Sequence, residues 1–314
     1  MSSVAVVGAG AWGTALAIQA HRAGRQVTLW ARTPFAGRIS PHLPGYPLPD
    51  GIAVTGVLPG NGVDSMILAV PVQHLRAVAA RMQPAAPVLV VAKGVERGTL
   101  RLPLEILADL HPGVEAAVLT GPNFAHEVAA GLPAASVIAA ADAGLRTRLI
   151  QMLGSPGFRL YGNDDPVGAQ LGGAAKNVIA IAAGAVIGAG LGENARAALI
   201  TRGLAELGRL VAALGGRAET VTGLSGLGDL LLTCTGASSR NFRYGLAVGR
   251  GETPAAALGH SAGVVEGVAT APALIERAAG LDLPVCAAVA ALVAGRTTLP
   301  EAIAALMSRP VRDE

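Results

Sequence analysis

One stretch near the start constrains the chain more than any other. Residues 4–7 (VAVV), a short run rich in β-branched side chains, lead straight into Gly8-Ala9-Gly10-Ala11-Trp12-Gly13, and a helical pattern follows over 14–22. A strand, a G-x-G-x-x-G turn and a helix in that order open a βαβ unit of the dinucleotide-binding type. Gly8 permits the tight turn, Gly10 lets the backbone approach a pyrophosphate, and Gly13 lets the helix lie close to the strand. The anion is expected at the helix N-terminus, where unpaired N–H groups and the helix dipole favour negative charge. A plain glycine-rich turn is the competing reading. Trp12 can cover a cofactor or simply pack.

The alternation continues. A second strand at 26–30 ends in Ala31-Arg32-Thr33, without the acidic residue that reads a ribose 2′-hydroxyl. An arginine there suits a 2′-phosphate, so the cofactor is expected to be NADP or NAD; the alternative is that Arg32 is only a solvated side chain. A Pro- and Gly-rich ordered loop over 42–49 leads to a strand at 52–54, and an apolar strand at 65–70 precedes a helix at 72–82. The strand at 88–92 delivers Lys93 at its C-terminal end, the side of an open parallel sheet on which ligands bind. A strand at 116–120, the turn 121–125 opening a helix through Ala130, a strand at 135–139, a helix at 143–153 and a strand at 158–161 complete the pattern. This is an α/β, Rossmann-like doubly wound sheet domain, expected over 1–165.

From about Pro166 the strand signals stop. Helical segments at 168–189, 194–214 and 229–234, with others reaching Arg309, predict an all-α domain over 166–314. Its first helix holds one of the rarest residue types that chemistry could use. Of 24 Lys and Arg residues only two, Lys93 and Lys176, are lysines. Arginine stays charged at any working pH, whereas a lysine in Gly- and Ala-lined surroundings can lose its proton and act as a base. Codon bias explains the count equally simply. Buried without a partner, the Lys176 ammonium would cost several kcal/mol, so an acid is expected beside it.

Asp229, in the Gly-rich entry to a helix, is the candidate acid, with Thr233 one turn later on the same face. As a plain helix N-cap Asp229 would be equally at home. Ser239-Arg240-Asn241 offers hydroxyl, guanidinium and amide donors in three successive residues, suited to a phosphate; a capped helix start with a solvated arginine is the other reading.

The segments GAGAWGTALA, VAKGVE, GPNFAHEVAAGLP, GGAAKNVIAIAAG, NARAALITRGLAE, GLSGLGDLLLTCT, SSRN and VVEG follow one another in the order and spacing of a known family. From Gly8 to about Gly267 the chain resembles the bacterial NAD(P)-dependent glycerol-3-phosphate dehydrogenases. The resemblance implies a Rossmann domain followed by a helical substrate domain, and reversible reduction of dihydroxyacetone phosphate to sn-glycerol 3-phosphate. It implies that Lys176 exchanges the proton at the C2 oxygen, with Asn177 beside it, and that Lys93 touches both substrate and cofactor. Catalysis falls to Lys176, Lys93 and Asp229. Gly121, Asn123, Thr233, Ser239, Arg240 and Asn241 complete the substrate set; Asn123 stands where the family usually has Ser or Thr. Gly8, Gly10, Ala11, Trp12, Gly13, Arg32, Lys93, Ala125, Arg240, Val264 and Glu266 fall on the cofactor side, Ala11 standing where many relatives carry serine.

Bulk properties fit a small anionic ligand. The net charge is only +3 and its arginines are scattered, which gives no nucleic-acid footprint. Cys234 and Cys286 have no metal-ligand spacing and no metal is expected; a reduced cytoplasmic protein follows, with neither a signal segment nor a membrane span. The resemblance suggests a homodimer feeding phospholipid synthesis. A ketopantoate-type reductase of the same architecture would lack SSRN and GDLLLTCT together, and a nucleotide-binding redox sensor would lack the lysine and the anion site.

Overall fold

The computed structural model describes residues 2–261 and 263–310 and divides into two compact units. The first comprises residues 1–93 and 101–170, the second 94–100 and 171–314.

The first unit carries eight strands: β1 (Ser3–Val7), β2 (Gln26–Trp30), β3 (Ile52–Thr55), β4 (Ser65–Leu68), β5 (Val88–Val90), β6 (Ala116–Thr120), β7 (Ala134–Ala139) and β8 (Phe158–Asn163). They form one sheet in the order β3-β2-β1-β4-β5-β6-β7-β8. The first six reproduce the Rossmann order 3-2-1-4-5-6. All neighbours run parallel except β6 and β7. Helices α1 (Ala11–Arg22), α2 (Val72–Ala79), α3 (Pro103–Leu110), α4 (Ala125–Ala130) and α5 (Ala143–Leu153) belong to this unit. Strands β4 and β5 are buried along their whole length, which is why they read as unbroken apolar runs. Val4, Val6, Leu29, Ile67, Leu89 and Leu119 form one core with Leu16 of α1 and Leu149 of α5.

Several bounds differ from those expected. The strands predicted over 65–70 and 88–92 end at Leu68 and Val90. Beyond Leu68 the backbone becomes the floor of the glycine loop: a Cβ on Gly8 would lie 2.6 Å from the Ala69 carbonyl oxygen. The helix predicted over 72–82 ends at Ala79, after which Arg81 and Met82 donate to carbonyls three residues back, tightening the chain ahead of Pro84. Helix α3 falls in a stretch where no helix was expected. Pro103 opens it, and the Glu105 carboxylate accepts the Leu102 N–H at 2.7 Å.

Helix α6 (Pro166–Gly188) contains the division between the units. The second unit continues with α7 (Gly192–Ala213), α8 (Asp229–Thr235), α9 (Arg240–Gly249), α10 (Pro254–Gly259), α11 (Glu266–Arg277), α12 (Pro284–Val293) and α13 (Leu299–Met307). Its described residues contain no strand. Glycines set how closely α6 and α9 approach. Cβ atoms on Gly184 and Gly188 of α6 would meet the Phe242 and Leu246 carbonyl oxygens at 2.0 and 2.3 Å, and Gly245 and Gly249 of α9 mirror this against Ile181 and Ala185. Helix α6 has the length and apolarity of a membrane span, but 83% of its most apolar window is buried inside the protein. Its apolar run is core.

Candidate active site

Lys176 lies in the middle of α6 among small or apolar side chains apart from Asn177: Ala174, Ala175, Val178 and Ile179 are fully buried. Its own exposure is 8% and that of Asp229 0%. Gly172, one turn before Lys176, lets the loop ahead of α8 close onto α6: a Cβ there would lie 2.5 Å from the Ser225 carbonyl oxygen. That loop is a single π-turn, Leu224–Gly228, closed by Gly228 N–H donating to the Gly223 carbonyl at 3.1 Å. Such bulges re-aim the residues that follow them. Asp229, first residue of α8, consequently faces α6 rather than capping its own helix, and the Lys176 Nζ donates to Asp229 Oδ1.

Thr233 completes the arrangement. Its hydroxyl donates to the Asp229 carbonyl at 2.6 Å, and with that single proton committed it presents a lone pair to the Lys176 Nζ at 3.0 Å. A carboxylate and a hydroxyl acceptor together favour the charged ammonium over the neutral amine that burial alone would favour. Cys234, next along α8, is a bystander in ionic terms. Its thiol is pushed up to about 12, chiefly by burial, with the Lys176 ammonium opposing and the Asp229 carboxylate adding to the rise.

Around this pair, α6, α9 and α11 are joined by amides. Asn241 Nδ2 donates to Asn177 Oδ1 at 2.9 Å, Asn241 Oδ1 accepts the Gly267 N–H at 2.9 Å, and Asn177 Nδ2 donates to Glu266 Oε2 at 3.4 Å. Asn177, Asn241 and Glu266, which sequence motifs scatter over ninety residues, are thereby one network. Ser239 caps α9, its hydroxyl accepting the Phe242 N–H at 3.2 Å, and Arg240 is exposed beside it. Gly263 lies against that guanidinium, 3.0 Å from a would-be Cβ, and Val264 is exposed next to it. No sequence pattern announced the Asn177–Asn241 bond; it depends on the close α6–α9 packing.

The first unit places the glycine loop at the carboxyl edge of its sheet. Gly8 has φ +118°, and a Cβ on Gly13 would lie 1.8 Å from the Gly8 carbonyl oxygen, so neither position admits a side chain. Around Gly10, by contrast, a Cβ would meet nothing within 4 Å. Helix α1 starts at the next residue with no side-chain cap on its N-terminal N–H groups. Open space beside uncapped donors is what a pyrophosphate requires, and the residues fit a dinucleotide. Ala11 and Trp12 are half-buried against the core cluster, Arg32 is exposed at the end of β2, and Ala125 opens α4. Lys93 Nζ donates to the Gly121 carbonyl at 3.4 Å. Asn123 Nδ2 donates to the Ala135 carbonyl at 3.2 Å and to Ser136 Oγ. Among the described residues no group of three His, Cys, Asp or Glu side chains could hold a metal ion.

A 3-2-1-4-5-6 sheet with a phosphate-ready glycine loop, followed by a helical unit built round a buried lysine–carboxylate pair, defines a nicotinamide-nucleotide-linked oxidoreductase. The N-terminal and C-terminal models of NAD-dependent glycerol-3-phosphate dehydrogenase match residues 3–145 and 165–304. The chain belongs to the NAD-dependent glycerol-3-phosphate dehydrogenase family. It is 57% identical to the glycerol-3-phosphate dehydrogenase [NAD(P)+] of Acidiphilium cryptum over 99% of this chain and 98% of that one. With the enzyme of the same name from Bradyrhizobium sp. (strain BTAi1) it shares 52% identity over 99% and 98%. The crystal structure of glycerol-3-phosphate dehydrogenase from Coxiella burnetii superposes with a TM-score of 0.93 at 37% identity, covering 98% of this chain and 99% of that one.

Proposed function

We propose that this chain catalyses reversible hydride transfer between NAD(P)H and dihydroxyacetone phosphate, giving sn-glycerol 3-phosphate for phospholipid synthesis. The observation that carries this reading is the buried Lys176 ammonium held by Asp229 and Thr233, in a chain of this family. The nicotinamide, when bound, supplies the hydride for the ketone carbon. Negative charge then develops on the C2 oxygen, and Lys176 stabilises it and delivers the proton; in the opposite direction Lys176 removes it. Asp229 and Thr233 hold the ammonium in place and keep it charged. Lys93 supplies a second positive charge in contact with substrate and cofactor.

Phosphate recognition belongs to Ser239, Arg240 and Asn241, with Asn177 and the Gly121–Asn123 turn completing the substrate contacts. Binding energy gathered there, remote from the carbon that reacts, orients C2. The nucleotide is held by Gly8, Gly10, Ala11, Trp12 and Gly13, with Ala125, Val264, Glu266 and Arg240 contributing, and Arg32 favours a 2′-phosphate and therefore NADP. Functionally, residues 1–165 chiefly serve the nucleotide and 166–314 chiefly the substrate, with Lys93 and the Gly121–Asn123 turn also serving the substrate and Arg240, Val264 and Glu266 the nucleotide. The protein works as a homodimer in the cytoplasm. Two free, buried cysteines suit that reducing compartment, and light scattering measures the dimer.

The test is NADPH oxidation with dihydroxyacetone phosphate, with ketopantoate as the control substrate, for the native chain and for Lys176→Arg. A guanidinium cannot release a proton in this range. Lys176→Arg is expected to retain the native circular dichroism spectrum and lose turnover. Substantial residual activity, or equal turnover of ketopantoate, would sink the assignment.

A further inference from the structure

The single antiparallel step in the sheet has a chemical consequence. In the parallel strands all carboxyl ends lie at one edge, but β7 runs the other way, so its first residues lie at the edge where β6 ends. Thr120 pairs with Val137, and continuing that register sets Gly121 opposite Ser136. The turn after β6 is pressed against this strand. Gly121 has φ +139°, and a Cβ on it would come within 3.0 Å of Ser136 Cα and 3.3 Å of the Ala135 carbonyl oxygen.

The Asn123 side chain fastens the turn there. Ala135's carbonyl can only accept, so the end of the Asn123 amide facing it must be the NH2 group. One Nδ2 proton goes to that carbonyl at 3.2 Å and the other to Ser136 Oγ at 2.5 Å. Ser136 is wholly buried, with 0% exposure, so its hydroxyl serves the interior and not solvent. Asn123 Oδ1 is buried without a hydrogen-bond partner among the described residues. Held this way, the amide has no donor left for a ligand. What the fastened turn does present is the Gly121 carbonyl, which accepts from Lys93 Nζ at 3.4 Å.

We infer that Ser136 and Asn123 are positioning residues, a buried brace between β7 and the turn after β6 that sets where the Gly121 carbonyl holds the Lys93 ammonium. The inference rests on the reading that Lys93 acts on the substrate. It gives Ser136 a part in the reaction and moves the Asn123 side chain from substrate contact to support.

Steady-state kinetics with dihydroxyacetone phosphate and NADPH test it in Ser136→Ala, Asn123→Ser, their double variant and Ser136→Thr, each also combined with Lys93→Ala. Thermal melts of every protein establish that it is folded, and Asn123→Ser, at a half-buried position, opens little cavity should Ser136→Ala fold poorly. Lys93→Ala alone is read first; native turnover there overturns the reading of Lys93 and this inference with it. With Lys93 essential, Ser136→Ala and Asn123→Ser are each expected to lower kcat/KM for the triose by about tenfold. The double variant is expected to be no worse than the poorer single, because Asn123→Ser already cuts the one bond that Ser136→Ala removes. Ser136→Thr keeps the hydroxyl and is expected to stay near the native value. In the Lys93→Ala background the brace substitutions are expected to change the residual rate no further. Native kinetics in folded Ser136→Ala and Asn123→Ser, or losses that add together and persist without Lys93, would overturn the brace.

Discussion

Thr233 shows how one hydroxyl can decide what its neighbours do. Its proton goes to the Asp229 carbonyl, as for any threonine that bonds back along a helix, and this turns its free lone pair toward Lys176. Asp229 supplies charge, Thr233 supplies direction. Replacing Asp229 by Asn therefore differs in kind from replacing Thr233 by Val. Asp229→Asn leaves a buried ammonium without its counter-charge and is expected to destabilise the fold by about 3 kcal/mol. Thr233→Val keeps the ion pair and the shape, so unfolding in urea should change by only about 1 kcal/mol while kcat falls more than the KM for the triose. Equal urea midpoints for the two variants would show that the carboxylate contributes no more than a neutral hydrogen bond.

At the scale of elements, the helical unit solves two packing problems by different means. Between α6 and α9 glycines remove side chains so that backbones meet. Between α7 and α12 a charged side chain is brought inside. Glu206 of α7, 1% exposed, accepts the N–H groups of Val285 at 2.6 Å and Cys286 at 3.0 Å, so it caps α12 from a neighbouring helix. Pro284, at the first helical position, has no N–H to satisfy. Burial raises the Glu206 carboxyl above its ordinary 4.5, against the lowering effect of those two backbone bonds. Below pH 4.5 the carboxyl is protonated in folded and unfolded chains alike and the contribution is fully present. As pH rises past that point the unfolded chain ionises first, and the contribution is lost until the folded carboxyl ionises too. Glu206→Gln removes this titration. The stability advantage of the native chain over Glu206→Gln, from urea midpoints, should therefore shrink as pH rises from 4.5 toward neutrality. A gap that stays flat or widens would mean the carboxyl is not raised.

Across the whole molecule, what the sequence made legible was what local chemistry demands. Gly8, Gly10 and Gly13 could be read because the turn at Gly8 and the close contact at Gly13 exclude a side chain, while Gly10 leaves open the space a phosphate needs. The Pro-rich loop was readable as ordered, and Leu43 and Leu48 within it are buried. Asp229 left two readings open, cap or lysine partner, since only the π-turn before it decides which way the carboxylate faces. Helix α3 escaped because Pro103 opens it, and a proline reads as readily as a loop breaker as a first helical position. Residues 94–100 look like part of the sheet domain in sequence, yet they cluster with the helical unit, where Arg277 Nη1 donates to the Leu100 carbonyl at 2.5 Å. Long-range bonds of that sort leave no local trace. The two units also make most of the ligand assignments separable, Lys93, the Gly121–Asn123 turn, Arg240, Val264 and Glu266 being the exceptions. A ligand that binds the native state stabilises what it binds, by about 2.7 kcal/mol at a hundred times its Kd. With NADPH alone, hydrogen exchange should slow in β1, α1 and the turn after β2; with sn-glycerol 3-phosphate alone, it should slow in α6, α8 and the start of α9. Arg32→Ala should weaken the NADPH effect, leave the effect of NADH, and not touch protection by the phosphate ester. If Arg32→Ala binds NADPH as the native chain does, Arg32 is surface and the cofactor preference lies elsewhere. If the phosphate ester alone protects the glycine loop and leaves α8 and α9 unchanged, the substrate residues have been assigned to the wrong unit.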